Sequence, residues 1–378
     1  MKRILERNSN IELMRIISML LITLHHFSLW AQGPRADQLL AKGDGFKAFE
    51  SLIFLPLGDI GVYLFVMITG FYLGNKSIKI TDSYKKSIKI YLQMYFYAIL
   101  FLLLAVQNSW QMNNFPNMID PLMPFNQVPN VPMSVLPLTF NHYWFVTAFI
   151  LLMLLLPYIN KSIVDRSESE MRNIIIILSI ACGVFPLLNN HVASETVGLG
   201  IVITSYMIGY YVRTFIQTNT KTRILRSCIG LILFLSSVVI IYGISFYDIT
   251  VLKYRYIRIY TGIFALLSAA GLFVLFVNLR PIYSRMINRF AMNIFAVYLI
   301  TENIFVKKQL WKHFIFPQMD DLLMVNVYGF MAVLGIMVSC VLIDKIRLIF
   351  IVMVVRIKSA IVEVFDRLYR QTFGKKVD

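Results

Sequence analysis

Apolar runs about as long as a bilayer is thick recur about ten times along this chain. They centre on residues 11–30, 56–74, 88–106, 143–160, 173–188, 199–216, 224–244, 259–277, 290–306 and 323–343. A helix needs about 20 consecutive apolar residues to cross the hydrocarbon core, and a backbone in lipid must satisfy its N–H and C=O groups internally. Runs of this kind therefore predict an all-α integral membrane protein. The composition agrees: 58% of the residues are hydrophobic and 15% charged, against about 45–50% and about 25% in soluble domains. A water-soluble enzyme is excluded. The start, MKRILERNSN, is basic and leads into the first run without a small-residue cleavage site, which predicts an uncleaved first helix.

An even number of spans puts both ends on one side, and the basic residues choose which. With the N-terminus inside, 26 of the 36 Lys and Arg fall on inner segments and 9 on outer loops, with Arg15 inside the first span. This asymmetry predicts an N-in, C-in topology. It also gives the net charge of +16 a plain meaning, since basic loops anchor at an anionic inner leaflet. Membrane lipids are thus expected partners and nucleic acid is not.

Two segments are not spans. Residues 107–142 hold six of the twelve prolines and predict an irregular outer loop, placed to cap a cavity. Residues 346–378 mix Ile, Val and Phe with Arg and Lys, which predicts a basic amphipathic cytoplasmic tail after a membrane domain of residues 1–345. Cys182, Cys228 and Cys340 lie in apolar runs, so neither a disulfide framework nor a metal site is expected.

An ionisable group at membrane depth is costly, and each is a candidate functional residue. The first span carries Glu12, Arg15, His25 and His26. Eleven steps of 100° bring His26 to within about 20° of the Arg15 face and about 16 Å along the helix, while His25 points about 100° away. Asp59 opens the second run, His142 precedes the fourth, and Glu302 stands in the ninth, about 20 Å above Arg289. His26, Asp59, His142 and Glu302 are therefore expected to converge in the outer half. The alternative is an interfacial Glu12–Arg15 pair with the histidines among headgroups. An imidazole beside a carboxylate suits proton abstraction from a hydroxyl, and equally a transporter's proton relay.

These motifs resemble the membrane acyltransferase 3 family, bacterial integral membrane proteins that O-acylate polysaccharides and related glycans. The family's Arg, ten residues, then His is matched by Arg15 and His26, with Glu12 three residues ahead. Its glycine-led block ending Ser-Gly-Phe is matched by GVYLFVMITGF, with Thr69 in place of Ser before Gly70 and Phe71. HYWFVTAFILLMLLLPYI, containing His142 and Trp144, resembles its Trp-Phe block, and YMIGYYV its Gly-Tyr-Tyr stretch. The chain departs at YLIT, where Thr301 stands in place of a frequent His and Glu302 follows.

The resemblance implies an O-acyltransferase, most simply an O-acetyltransferase, in the bacterial cytoplasmic membrane. It takes acetyl-CoA as a donor substrate, with no tightly bound cofactor, and a cell-surface or lipid-linked glycan as acceptor. The implied roles are donor phosphates on Arg15, general base for His26 with Glu12, Glu302 and Asp59 in support, and substrate contacts from Thr69, Gly70, Phe71, His142, Trp144 and Trp110. Thr69 and amides around Gly70 are the expected oxyanion donors. A polysaccharide flippase and a non-catalytic partner of a glycan-export complex remain the rival readings.

Overall fold

The computed structural model describes residues 7–111, 130–188, 195–216, 222–253, 262–314 and 321–373, and among these it contains helices and no strand. In chain order the helices are α1 (Ser9–His26), α2 (Gly33–Ala41), α3 (Gly45–Ser51), α4 (Leu57–Leu73), α5 (Ile80–Gln111), α6 (Asn130–Val135), α7 (Trp144–Ile163) and α8 (Glu168–Ser179). They continue with α9 (Phe185–Leu188), α10 (Glu195–Tyr211), α11 (Arg223–Thr250), α12 (Ile263–Asn278), α13 (Arg285–Ala291), α14 (Phe295–Thr301), α15 (Ile304–Lys312) and α16 (Leu322–Phe373). Wider π-helical turns join α1 to α2 (Phe27–Gln32) and α8 to α9 (Ile180–Val184), and follow α10 (Val212–Ile216).

The described parts of the apolar windows fall largely on helices, while residues 259–261 of the eighth lie outside the described residues. Among the described residues six helical segments are long and apolar enough to cross a membrane: Ser9–Ala41, Ile80–Gln107, Trp144–Ile163, Glu168–Leu187, Gly198–Ile216 and Arg223–Thr250. The chain is a multi-pass membrane protein. At the ninth window two helical stretches, Arg285–Thr301 and Ile304–Lys312, meet at a bend of 72°, the shape of a broken span or a re-entrant loop. Two other windows are the shorter helices Leu57–Leu73 and Ile263–Asn278.

The shortness of α4 fits its place at the centre of the bundle. It packs against α1, α10 and α12, and Ile60 to Ile68 are all buried. A helix that is apolar on every side belongs in such a position. Glycines set how closely its neighbours come. A Cβ on Gly61 would stand 2.5 Å from the Ser18 carbonyl oxygen of α1. One on Gly70 would stand 1.9 Å from that of Tyr206 in α10, and one on Gly209 of α10 would stand 2.0 Å from that of Met67. Backbone therefore meets backbone at both crossings.

The 52 residues of α16 form one helix, with no break at residue 345 between span and tail. Its buried Asp344 accepts from Tyr97 Oη at 2.8 Å and Gln93 Nε2 at 3.3 Å on α5, and from Arg347 Nε at 2.6 Å. A buried carboxylate requires such partners. Beyond it, the apolar side chains from Ile349 to Val355 are exposed.

Candidate active site

One end of α1 borders a basic cavity. Asn8 caps the helix by accepting from the Asn10 N–H, and the buried Glu12 takes Arg15 at 2.7 Å and Arg7 at 3.5 Å. The cavity encloses about 450 Å³ and is lined by these residues together with Phe71, Tyr72, Lys76 and Arg213. Arg213 lies over the Phe71 ring at 4.9 Å. Four cations around a single carboxylate form a site for a multivalent anion, and guanidinium groups suit phosphate.

A second cavity, of about 240 Å³, begins at the same Arg15 and runs on past Thr69 to Phe65, Phe149 and Phe295. From there an aromatic column leads along the bundle. Phe65 stacks on Phe295 at 6.0 Å, Phe295 stacks on Tyr298 at 6.4 Å, and Tyr298 lies 6.1 Å from the His26 ring.

At the other end of α1 the side chains are nearly dry. His26 Nδ1 stands 3.3 Å from Glu302 Oε1, without the alignment of a hydrogen bond. Trp30 Nε1 donates to that same Oε1 at 3.1 Å. Lys307 Nζ is 3.9 Å from Glu302 Oε2 and 4.4 Å from the Trp30 ring centroid. Glu302 closes α14 and Asn303 opens α15, its side chain accepting from the Phe305 N–H. The break in the span therefore presents the carboxylate to His26. Non-helical backbone at membrane depth is tolerated where it is enclosed by protein or lines a cavity.

Neighbouring groups hold the break. Asn303 Nδ2 donates to Tyr143 Oη at 2.8 Å, and that hydroxyl donates to Leu299 O at 3.1 Å. His142, stacked on Tyr143, donates from Nδ1 to Met133 O at 3.1 Å and accepts at Nε2 from the Ile304 N–H at 3.0 Å. Both nitrogens are committed in one neutral tautomer, and burial holds the His142 pKa down at about 4.

The structure thus brings His26 and Glu302 together, with His142 supporting the backbone beside them. Asp59 has another partner, Tyr63 Oη at 3.4 Å, and does not join the cluster. His25 donates from Nδ1 to Leu55 O at 2.5 Å, and Gly58 lies against its ring. Thr69 lines the second cavity while its hydroxyl back-bonds to Phe65 O at 3.5 Å. Gly70 lies within α4, where its amide belongs to the helix ladder, so the expected oxyanion role passes away from it; its missing side chain serves the α10 crossing. Trp144 is exposed at the start of α7, and its neighbour Phe145 is the one that meets Tyr298. The Trp110 side chain and residues 112–129 lie outside the described residues. Among the described residues no His, Cys, Asp or Glu group could hold a metal.

A family model described as an acyltransferase domain, the acyltransferase 3 domain, matches residues 8–345. The chain belongs to the acyltransferase 3 family. The family and the apolar helices make the chain a membrane acyltransferase, and the matched segment contains both ends of α1, the two cavities and the bent helix pair. No curated protein and no solved structure matches the chain.

Several residues of the site escape a reading of the sequence. Arg7, Lys76 and Arg213 were visible only as generic basic loops, while Trp30, Lys307, Asn303 and Tyr143 carried no assignment. Asn303 did leave a signal, an N-cap residue ahead of an apolar run, which marks a new helix start.

Proposed function

We propose that this acyltransferase moves an acetyl group from acetyl-CoA to a hydroxyl of a cell-surface or lipid-linked glycan in the bacterial cytoplasmic membrane. The observation that carries the reading is the division of α1, with a cation-lined cavity at Arg15 and an imidazole–carboxylate pair at His26, about 16 Å further on. The diphosphate and ribose phosphate of the donor fit Arg7, Arg15, Lys76 and Arg213. Its pantetheine arm is assigned to the second cavity, which shares Arg15 with the first.

The chemistry then follows from the residues at the far end. Glu302, 3.3 Å from His26 Nδ1, stabilises the imidazolium that forms as Nε2 takes the proton of the acceptor hydroxyl. The hydroxyl oxygen attacks the thioester carbonyl and forms the ester bond. The C–S bond breaks, and the departing thiolate takes the proton from His26. Glu12 holds Arg15 in place, and Thr69, beside the route of the arm, is a contact for the donor.

With the N-terminus and C-terminus in the cytoplasm, the Arg15 end faces the compartment where acetyl-CoA is made. Cysteines placed at Lys85 and Lys253 test the orientation in intact cells: an impermeant reagent should label the second and not the first, and the reverse result refutes it. Mass spectrometry of surface glycan from cells with and without the gene tests the activity. Loss of the acetyl increment with the polymer retained supports the enzyme; loss of the whole polymer supports a flippase. Unchanged glycan removes both.

A further inference from the structure

We infer that Trp30 and Lys307 form the acceptor platform of this acyltransferase, receiving a pyranose ring on the exposed indole and binding its hydroxyls beside Glu302. The inference rests on the proposed transfer to a glycan hydroxyl and assigns the residues that bring that hydroxyl to His26.

Exposure falls steadily along the route. Trp30 is 37% exposed, while the side chains of Lys307, Glu302 and His26 are 22%, 13% and 9% exposed. An acceptor entering past Trp30 meets the indole first and the imidazole last. Trp30 lies in the π-helical turn that follows His26, four residues on and thus about one turn further toward the opening. Such turns are common at functional sites.

The chemistry of the rim matches a sugar. A pyranose has an apolar C–H face and a border of hydroxyls. An indole offers a broad apolar surface at low conformational cost. A carboxylate that accepts hydrogen bonds, Glu302, stands 3.1 Å from Trp30 Nε1, and the Lys307 ammonium lies over one face of the ring, 4.4 Å from its centroid, so the sugar is received on the opposite face. The Trp30 N–H is already given to Glu302 Oε1, so the same contact that fixes the carboxylate beside His26 also fixes the plane of the indole. A linear alcohol has no face to stack and gains only the polar contacts.

The test uses the purified full chain in nanodiscs with labelled acetyl-CoA and two acceptors, methyl β-D-glucopyranoside and the ring-free polyol glycerol. Trp30→Ala should lower transfer to the glucoside about tenfold relative to glycerol, through a higher KM for the glucoside and not for acetyl-CoA. Trp30→Phe, which keeps a ring and loses the N–H, should recover most of the preference. Lys307→Gln should weaken the glucoside by a smaller factor. Equal losses on both acceptors in Trp30→Ala would make Trp30 a positioning residue for Glu302 and overturn the inference, as would no loss on either. Wild-type transfer to neither acceptor above the His26→Ala background would instead overturn the proposed function, and the inference with it.

Discussion

The two ends of α1 use charge in opposite ways. Around Arg15 the cations outnumber the carboxylates, and the groups line an open cavity of about 450 Å³. Around His26 one carboxylate meets one imidazole and one ammonium at 3.3 and 3.9 Å, nearly out of contact with solvent. An excess of one sign attracts a multivalent ligand but orients it loosely. A matched, enclosed set attracts little, yet holds each proton in a defined place. Under the proposed function, one helix separates capture from chemistry.

The largest expected effect comes from breaking the enclosed end. His26→Ala should reduce acyl transfer by about 10²–10⁴, the usual contribution of a general base, while leaving the donor KM near its wild-type value. His25→Ala should lose stability because the Leu55 carbonyl loses its donor, but the folded fraction should still turn over. Equal specific activities for the two folded variants would take His26 out of the mechanism.

The open end should respond differently. Arg15→Lys keeps the charge and loses the planar fork, and should raise the donor KM about tenfold with a smaller change in kcat. Arg15→Gln should do more. Because the cavity binds through several exposed cations, raising the salt concentration should weaken donor binding while the single-turnover rate at saturating donor stays flat. Wild-type donor affinity in Arg15→Gln would reduce Arg15 to a structural partner of Glu12.

A smaller effect should appear in stability against pH. The fold keeps His142 neutral, with a pKa of about 4 against about 6.5 when unfolded. Folding therefore favours the deprotonated form. The contribution is complete above about pH 6.5 and is lost as the pH falls toward 4. Thermal melts in nanodiscs should show a Tm that drops over this window, and His142→Gln, which can still accept from the Ile304 N–H, should flatten the drop. An unchanged slope in that variant would place the acid sensitivity elsewhere.

Much of this contrast was legible in the sequence, for a definite reason. Arg15 and His26 belong to one helix, and helical periodicity alone puts them on one face at a fixed rise. Glu302 stood out as an acid inside an apolar run. What periodicity could not give is contact between distant segments. Trp30 and Glu302 are 272 residues apart, and nothing local to either predicts the other. Asp59 shows the opposite failure, since its depth was readable but its rotation toward Tyr63 was not. Gly70 was ambiguous in another way, because a glycine that lets helices touch and one that exposes an amide look identical in a string of letters. The apolar windows marked helical stretches, yet composition could not tell that Leu57–Leu73 would be the enclosed centre of the bundle.

The glycine contacts of α4 carry a mechanical consequence. With Gly61 keyed to α1 and Gly70 and Gly209 keyed across the α4–α10 crossing, the three helices meet backbone to backbone, and under the proposed function the rise from Arg15 to His26 along α1 works as a ruler. A donor bound at both ends then needs a handle of matching length. A truncated thioester without the nucleotide could reach His26 and react while never touching Arg15, so its turnover would rise with concentration and show no saturation. Acetyl phosphate, which carries its phosphate next to the carbonyl, could satisfy one end of the ruler only by abandoning the other.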